Sequence, residues 1–320
     1  MKNSSIYYSV GPLLYCPGNR ETIARSVIEQ QFGNRFSLAL CLEDTINDRH
    51  VEEAEHCLAA SVQNIHRAMD HTSFYLPKIF IRVRQPQQIL RMTALLGSSS
   101  RLVCGFILPK FSPEHADAYI QAVVAANERS GRPVYLMPIY ESACMIDLRR
   151  RYDILYALKE KLAAVEELVL NIRVGGNDLC HLFSFRRHEN ESIHRIRPVS
   201  DIFSDLVTVY GMDYVISGPV WEYYNGNGWE EGLIKEIADD KLCGLIGKTV
   251  IHPNQIDVVN RAYQVSQKDY DDACSIINWD RASVREVSAN PAGERMNEKK
   301  THGNWARQTL WMAEAFGIRP

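Results

Sequence analysis

Glu141 closes the apolar run VYLMPIYES (134–142), and a buried strand has no structural use for a carboxylate at its tip. Other apolar runs end the same way. LLYCP (13–17) runs into Gly18-Asn19-Arg20, SLALCLED (37–44) into Glu43-Asp44, and KIFIRV (78–83) carries Arg82 and is followed by Arg84. LVCGFILPK (102–110) ends in Lys110, and EELVLNIRVGGNDL (166–179) holds Gly175, Gly176, Asn177 and Asp178. DYVISGPV (213–220) contains Ser217-Gly218, and KTVIHP (248–253) ends in His252-Pro253. Each alone reads as a solvated strand end. Carboxylates, arginines and a lysine recurring at strand ends read together as the polar ring of a binding or catalytic face.

Eight such runs alternate with helical segments, and that alternation supplies the scaffold. The runs are nearly continuous in β-branched and aliphatic residues, as parallel strands buried on both faces require. Helical patterns open at 21 (ETIARSVIEQQ), 51 and 112, where Ser112 reads as an N-cap before Pro113 and Gly131 as the stop. PQQILRMTALLG, IDLRRRYDILYALKEKLAA, EEGLIKEIADDKLCG and NQIDVVNRAY supply further helices. Eight strand–helix units over roughly 250 residues predict an α/β fold, a (β/α)8 TIM barrel, whose strand C-termini converge on one face. An open doubly wound sheet fits less well, because no GxGxxG follows the first run. The barrel is expected over residues 1–265, with a C-terminal helical extension or lid over 266–320.

The 320 residues carry 36 Lys+Arg against 39 Asp+Glu, a net charge of −3, which leaves no electrostatic footprint for nucleic acid or an anionic membrane. No apolar run approaches the ~20 residues of a membrane span, and the N-terminus lacks a signal-peptide core. Eight cysteines form no CxxC pair. Those in apolar runs (Cys41, Cys104, Cys243) read as small buried thiols, which points to a reducing, cytoplasmic setting. His181, His188 and His194 lack zinc-ligand spacing.

YCPGNR (15–20), LCLEDTI (40–46), IRVR (81–84), ILPK (107–110), YES (140–142), VGGNDL (174–179) and GLIGKTVIHPNQIDVVN (244–260) occur in an order that resembles the HpcH/HpaI aldolase and citrate lyase β-subunit-like family. The family belongs to the phosphoenolpyruvate/pyruvate barrel superfamily, and the last block is the most specific. The resemblance implies a divalent-metal carbon–carbon lyase acting on a 2-oxo acid, a hydroxy acid or a hydroxyacyl thioester. It puts Mg2+, with Mn2+ as the alternative, on Glu141 and Asp178. Mg2+ takes one or two carboxylates and keeps waters and substrate oxygens in its remaining positions. Arg82 takes the role of the arginine on the developing oxyanion or substrate carboxylate, with Glu43 and Asp44 as the acidic pair lining the pocket. Lys110 either balances that acidic ring or binds substrate. Gly175 and Gly176 permit close backbone approach, and Arg20 is the candidate anchor for a coenzyme A phosphate. The departures are Arg84 at a usually neutral position, Met145 where the family has glycine, and two unusual loops. The basic 183–198 loop (Arg186, Arg187, Arg195, Arg197) and the aromatic, Gly-rich 221–232 loop both follow strand ends. His252 reads as a packed histidine bonding across the barrel.

Two other readings use the same residues, a non-catalytic barrel that binds a carboxylate metabolite and a thioester hydrolase. In the extension, 266–279 reads as a helix, 283–303 as a linker or lid, and 304–317 as a helix with Trp305, Leu310, Trp311 and Ala315 on one side. Such a helix must dock, on its own barrel or on a neighbouring copy. The resemblance implies a homo-oligomer, a trimer or a multiple of it, whose lid is supplied wholly or partly in trans with Met296, Asn297 and Glu298 near the neighbour's metal.

Overall fold

In the computed structural model, which describes residues 3–279 and 285–320, eight parallel strands close into a barrel in sequence order. They are β1 (Pro12–Pro17), β2 (Ser37–Cys41), β3 (Lys78–Arg82), β4 (Val103–Leu108), β5 (Tyr135–Tyr140), β6 (Ile172–Val174), β7 (Ile216–Gly218) and β8 (Leu245–Val250). Closure comes from β8 pairing β1, with Leu13 against Thr249. Side chains alternate with period two. Leu13, Ala39, Phe80, Ile107, Met137 and Ile139 fill the barrel, while Leu14, Leu38, Ile79, Ile81, Phe106 and Ile172 pack outward against helices. Gly105 is required by this packing, since a Cβ there would lie 2.2 Å from the Tyr135 carbonyl.

The helices are α1 (Ile23–Ile28), α2 (Val51–Ala68), α3 (Gln87–Leu96), α4 (Ala116–Ser130), α5 (Arg151–Ala163), α6 (Gly176–Leu182), α7 (Arg197–Tyr210), α8 (Trp229–Leu242) and α9 (Asn254–Tyr263). Gly131 stops α4 with φ +66. Ser112 does not cap this helix. Its carbonyl instead accepts from the His115 and Ala116 amides in a preceding turn. The run 166–179 is not one strand. It divides into a 3-10 turn at Glu166–Leu168, the three-residue β6, and α6, so Asp178 stands in the first turn of a helix. The eighth strand ends at Val250, leaving His252 beyond it. α7 lies outside the helical patterns read from the sequence; its Val199, Ile202, Phe203, Leu206 and Val209 form a buried stripe after Pro198. Cys41 is buried as expected, but Cys243 is exposed.

The extension consists of α10 (Gln267–Ile277), a hairpin of β10 (Val287–Ala289) and β11 (Met296–Glu298), α11 (Lys299–Phe316) and β12 (Ile318–Arg319). Residues 283 and 284 of the expected linker lie outside the described residues. α11 starts five residues before the expected 304 and buries Ala306, Thr309, Ala313 and Phe316 most deeply; of the expected stripe, Leu310, Trp311 and Ala315 pack partly buried against the core and Trp305 does not. Trp311 stacks on Tyr8 at 5.6 Å and Phe316 on Tyr263 at 5.1 Å, whereas Trp305 stays 37% exposed beneath the Arg295 guanidinium. Arg35 donates to the Phe316 carbonyl, and β12 pairs with β9 (Val265–Ser266). Tyr8 and Arg35 precede β1 and β2, so the end of α11 docks on its own barrel at the face opposite the strand C-termini.

Candidate active site

The strand ends bring Arg82, Glu43, Asp44, Glu141 and Lys110 into one network. The Arg82 guanidinium meets Glu43 at 2.9 Å, Asp44 at 2.8 Å and Glu141 at 3.2 Å, while Lys110 Nζ reaches Glu43 at 2.5 Å and Asp44 at 3.5 Å. The Lys110 amide donates to Glu141 Oε1 at 2.9 Å. It can do so because Lys110 holds φ +48, a left-handed conformation that a non-glycine residue adopts only when its surroundings demand it. Arg84, the arginine at a usually neutral position, turns to the β2 loop and does not border the cavity lined by Glu141 and Asp178. Its guanidinium donates to the carbonyls of Leu42, Glu43 and Ile46 and pairs with Asp48, bracing the loop that presents Glu43 and Asp44.

Glu141 and Asp178 border the same cavity of about 480 Å³, with Arg82, Asp44, Gly175, Gly176 and Asn177 also on its wall. A second cavity, of about 670 Å³, opens on the other side of the two acids and reaches Lys110, Ser112, Arg150 and His181. Glu141 is 4% exposed, and its carboxyl is raised to about 7. Burial does most of this and the Asp178 charge adds to it, against Arg82. Burial also raises Glu43, with help from Asp44, whereas Asp44 is held low because contacts from Glu43 and Arg82 outweigh its burial. Gly175 makes room for Glu141, since a Cβ at 175 would fall 2.3 Å from Glu141 Oε2. A Cβ at 176 would strike Ile193 and Pro219, at 2.6 and 2.7 Å.

Among the described residues no three His, Cys, Asp or Glu side chains form a closed metal cage. The donor set is two facing carboxylates, which suits Mg2+ with its remaining positions left to water and substrate. The fit is also one of charge. Glu43, Asp44 and Glu141 share the cations Arg82 and Lys110, and Asp178 makes no ion pair among the described residues, so the two acids on the cavity wall keep negative charge for a cation to meet.

Arg20 stands apart. Its guanidinium lies 5.5 Å over the Phe32 ring and donates to Thr22, and it does not border the cavity. His252 does not bond across the barrel; it stacks on Tyr224 at 4.5 Å and accepts from the Asn254 amide. The two unusual loops each contribute to the cavity wall, through Arg186 and Glu222. Tyr15, Arg173 and Thr249 also line it and were not anticipated. Their signal was parity: each falls on the inward phase of its strand, as Arg82 does on β3.

A closed parallel barrel with metal-fitting acids at its strand C-termini is the architecture of barrel enzymes. Comparison with known proteins narrows the class. Residues 4–318 match the family described as "C-C_Bond_Lyase of the TIM-Barrel fold", and the chain belongs to that family. The citrate lyase subunit beta of Escherichia coli (strain K12) is 33% identical over 99 residues, 30% of this chain and 32% of that protein. The matched stretch thus spans about a third of the length of this curated relative. Among solved structures, CitE from Mycobacterium tuberculosis in complex with magnesium, acetoacetate and coenzyme A is similar with TM-score 0.63 and 17% identity. That similarity covers 96% of this chain and 99% of the other. RipC from Yersinia pestis has TM-score 0.53 at 17% identity, covering 80% and 95%. The citrate lyase beta subunit of M. tuberculosis complexed with oxaloacetate and magnesium has TM-score 0.52 at 17% identity, covering 81% and 99%. At these identities the structural likenesses speak for the fold.

Proposed function

We propose that the chain is a Mg2+-dependent carbon–carbon bond lyase or aldolase acting on a 2-oxo acid, a hydroxy acid or a hydroxyacyl thioester. The observation that carries this is the pair of facing carboxylates, Glu141 and Asp178, beside an arginine already committed to acids. Glu141 and Asp178 would hold Mg2+ (or Mn2+), which when bound supplies charge stabilisation for an enolate oxygen. Arg82 would donate to the substrate carboxylate or to the developing oxyanion, held in place by Glu43 and Asp44. Arg84 fixes the loop carrying those acids. Lys110 places its amide on Glu141 and its ammonium on Glu43, which ties the acid on the cavity wall to the acid behind it. Gly175 keeps the space behind Glu141 clear, and Gly176 lets the start of α6 pack against Ile193 and Pro219.

Two of the solved structures named above contain magnesium, one with acetoacetate and coenzyme A and the other with oxaloacetate, which supports small carboxylates and thioesters as the substrate classes. Arg20, packed on Phe32, remains the candidate contact for a coenzyme A phosphate. The described chain has no helix long and apolar enough to cross a membrane. We place the enzyme in the cytoplasm on its free cysteines.

The extension supports a homo-oligomer with its lid in trans, a trimer or a multiple of it. α11 grips the far end of its own barrel, and the hairpin exposes Val287 at 46% and Met296 at 58%. The decisive experiment incubates the protein and Mg2+ with a panel of 2-oxo acids, hydroxy acids and acyl thioesters and reads products by mass spectrometry. Metal-dependent cleavage of one panel member is the expected result. Mg2+-dependent binding without any turnover would return the chain to the carboxylate-binding reading, and hydrolysis alone to the thioesterase.

A further inference from the structure

The cavity holds a second buried guanidinium that differs from Arg82 in one respect. Arg173, on β6, is 2% exposed and borders the cavity together with Tyr15, Arg82, Ile139 and Thr249. Its NH2 donates to Thr249 Oγ1 at 2.6 Å and its NH1 to Asn171 Oδ1 at 3.3 Å, both neutral groups, with the Tyr15 phenol beside it. Among the described residues no Asp or Glu pairs with Arg173, whereas Arg82 meets three carboxylates and Lys110 two. Beneath it the Asn171 amide nitrogen is buried without an acceptor, and beside it so is Arg82 Nε. A guanidinium stays charged in a protein interior, and an unpaired buried charge is costly. Burial pulls the Arg173 guanidinium below its usual value, against the pull of Tyr15. That cost is offset if a ligand brings the anion.

We infer that Arg173 is a specificity residue that receives a second carboxylate of the substrate at the inner end of the cavity. The substrate would then be a dicarboxylate rather than a monocarboxylic acid. The inference rests on the proposed function, because it takes Glu141 and Asp178 to fix the reacting end. One uncompensated positive charge matches a carboxylate better than a phosphate, which carries nearly two negative charges. The planar fork of Arg173 with the Thr249 and Tyr15 hydroxyls suits a planar oxygen pair.

The test is calorimetry with matched probes, oxaloacetate against pyruvate and 2-oxoglutarate against 2-oxobutyrate, each with and without Mg2+. In the wild type at least one dicarboxylate should bind about tenfold or more tighter than its partner; Arg173→Met should remove that advantage and leave the monocarboxylates within about twofold. Arg173→Lys, which keeps the charge but not the fork, should retain part of it. The melting temperature of ligand-free Arg173→Met should match or exceed that of the wild type, because the variant no longer buries an unpaired charge. A discrimination that is absent in the wild type, or that survives in Arg173→Met, overturns the inference. A large drop in melting temperature would also overturn it, by making the guanidinium structural. The two readings fail separately. If Mg2+ does not bind but dicarboxylate binding still depends on Arg173, the metal assignment falls and the anion pocket stands. If Mg2+ binds normally without discrimination, only the anion pocket falls.

Discussion

Two ionic clusters sit on opposite sides of the barrel wall, and they are built on opposite principles. Outside the barrel, Lys248 on β8 bonds Glu236 at 2.9 Å and Asp240 at 2.7 Å, both on α8. Arg187 pairs with Glu236 and stacks 5.3 Å over Trp221, and His194 meets Asp240 at 2.7 Å. Lys248, Glu236 and Asp240 are fully buried, and two acids face two permanent cations. Burial alone would push the Glu236 carboxyl up, yet Lys248 and Arg187 hold it below its usual range. In the cavity the acids outnumber the cations, and Glu141 and Glu43 are raised. A network that holds a fold together closes its own charges. One that does chemistry leaves a charge open for the ligand to close.

The largest expected effect falls on the closed cluster. Lys248→Met removes the cation shared by two buried carboxylates and should cost about 3–5 kcal/mol in urea unfolding. A loss below ~1 kcal/mol would show that the cluster is not the structural one of the pair. Arg82→Lys keeps the charge but loses the planar contacts. Turnover on the substrate identified by the panel should fall on the order of 10²–10³-fold while the melting temperature moves little. Wild-type turnover in this variant would remove Arg82 from the chemistry.

A smaller effect is one of pH. Metal needs the Glu141 carboxylate deprotonated, and its carboxyl is raised to about 7, so protons compete with Mg2+ below that value. Affinity should weaken by up to about tenfold per pH unit as pH falls from 7 to 5, and level off above 8. An affinity flat across that range would mean that Glu141 is not a ligand. The smallest effect on the fold should come from Met296→Glu in the exposed hairpin, which leaves every core contact in place. It should lower the mass measured by light scattering toward that of a monomer. An unchanged mass would count against the hairpin as an interface.

Much of the open cluster was legible in the sequence, because a carboxylate or arginine ending an apolar run stands out locally. Glu43, Asp44, Arg82, Lys110 and Glu141 converge as the strand ends required, with Asp178 at the same cavity from the first turn of α6. The closed cluster was not legible. Lys248 reads as one more charge in a strand, and its partners lie eight and twelve residues earlier on a helix that must first pack over β8. Arg173 hid inside an apolar run because only the inward phase of β6 separates a cavity residue from a surface one. α7 was lost because the basic loop before it masks a stripe that begins at Val199. The end of α11 misled for a related reason. Tryptophan content suggested which face docks, but Ala306, Thr309 and Ala313 are the buried positions, small enough to let the helix approach closely.

Calorimetric titration of Mg2+ into the wild type, Glu141→Ala and Asp178→Ala tests the open cluster most directly. The wild type should bind one ion per chain. Near pH 7 it should release a fraction of a proton, as the raised Glu141 carboxyl gives up its share. Both variants should lose binding while melting at or above the wild-type temperature, because each removes one of two facing like charges. Unchanged Mg2+ affinity in both variants would contradict the account.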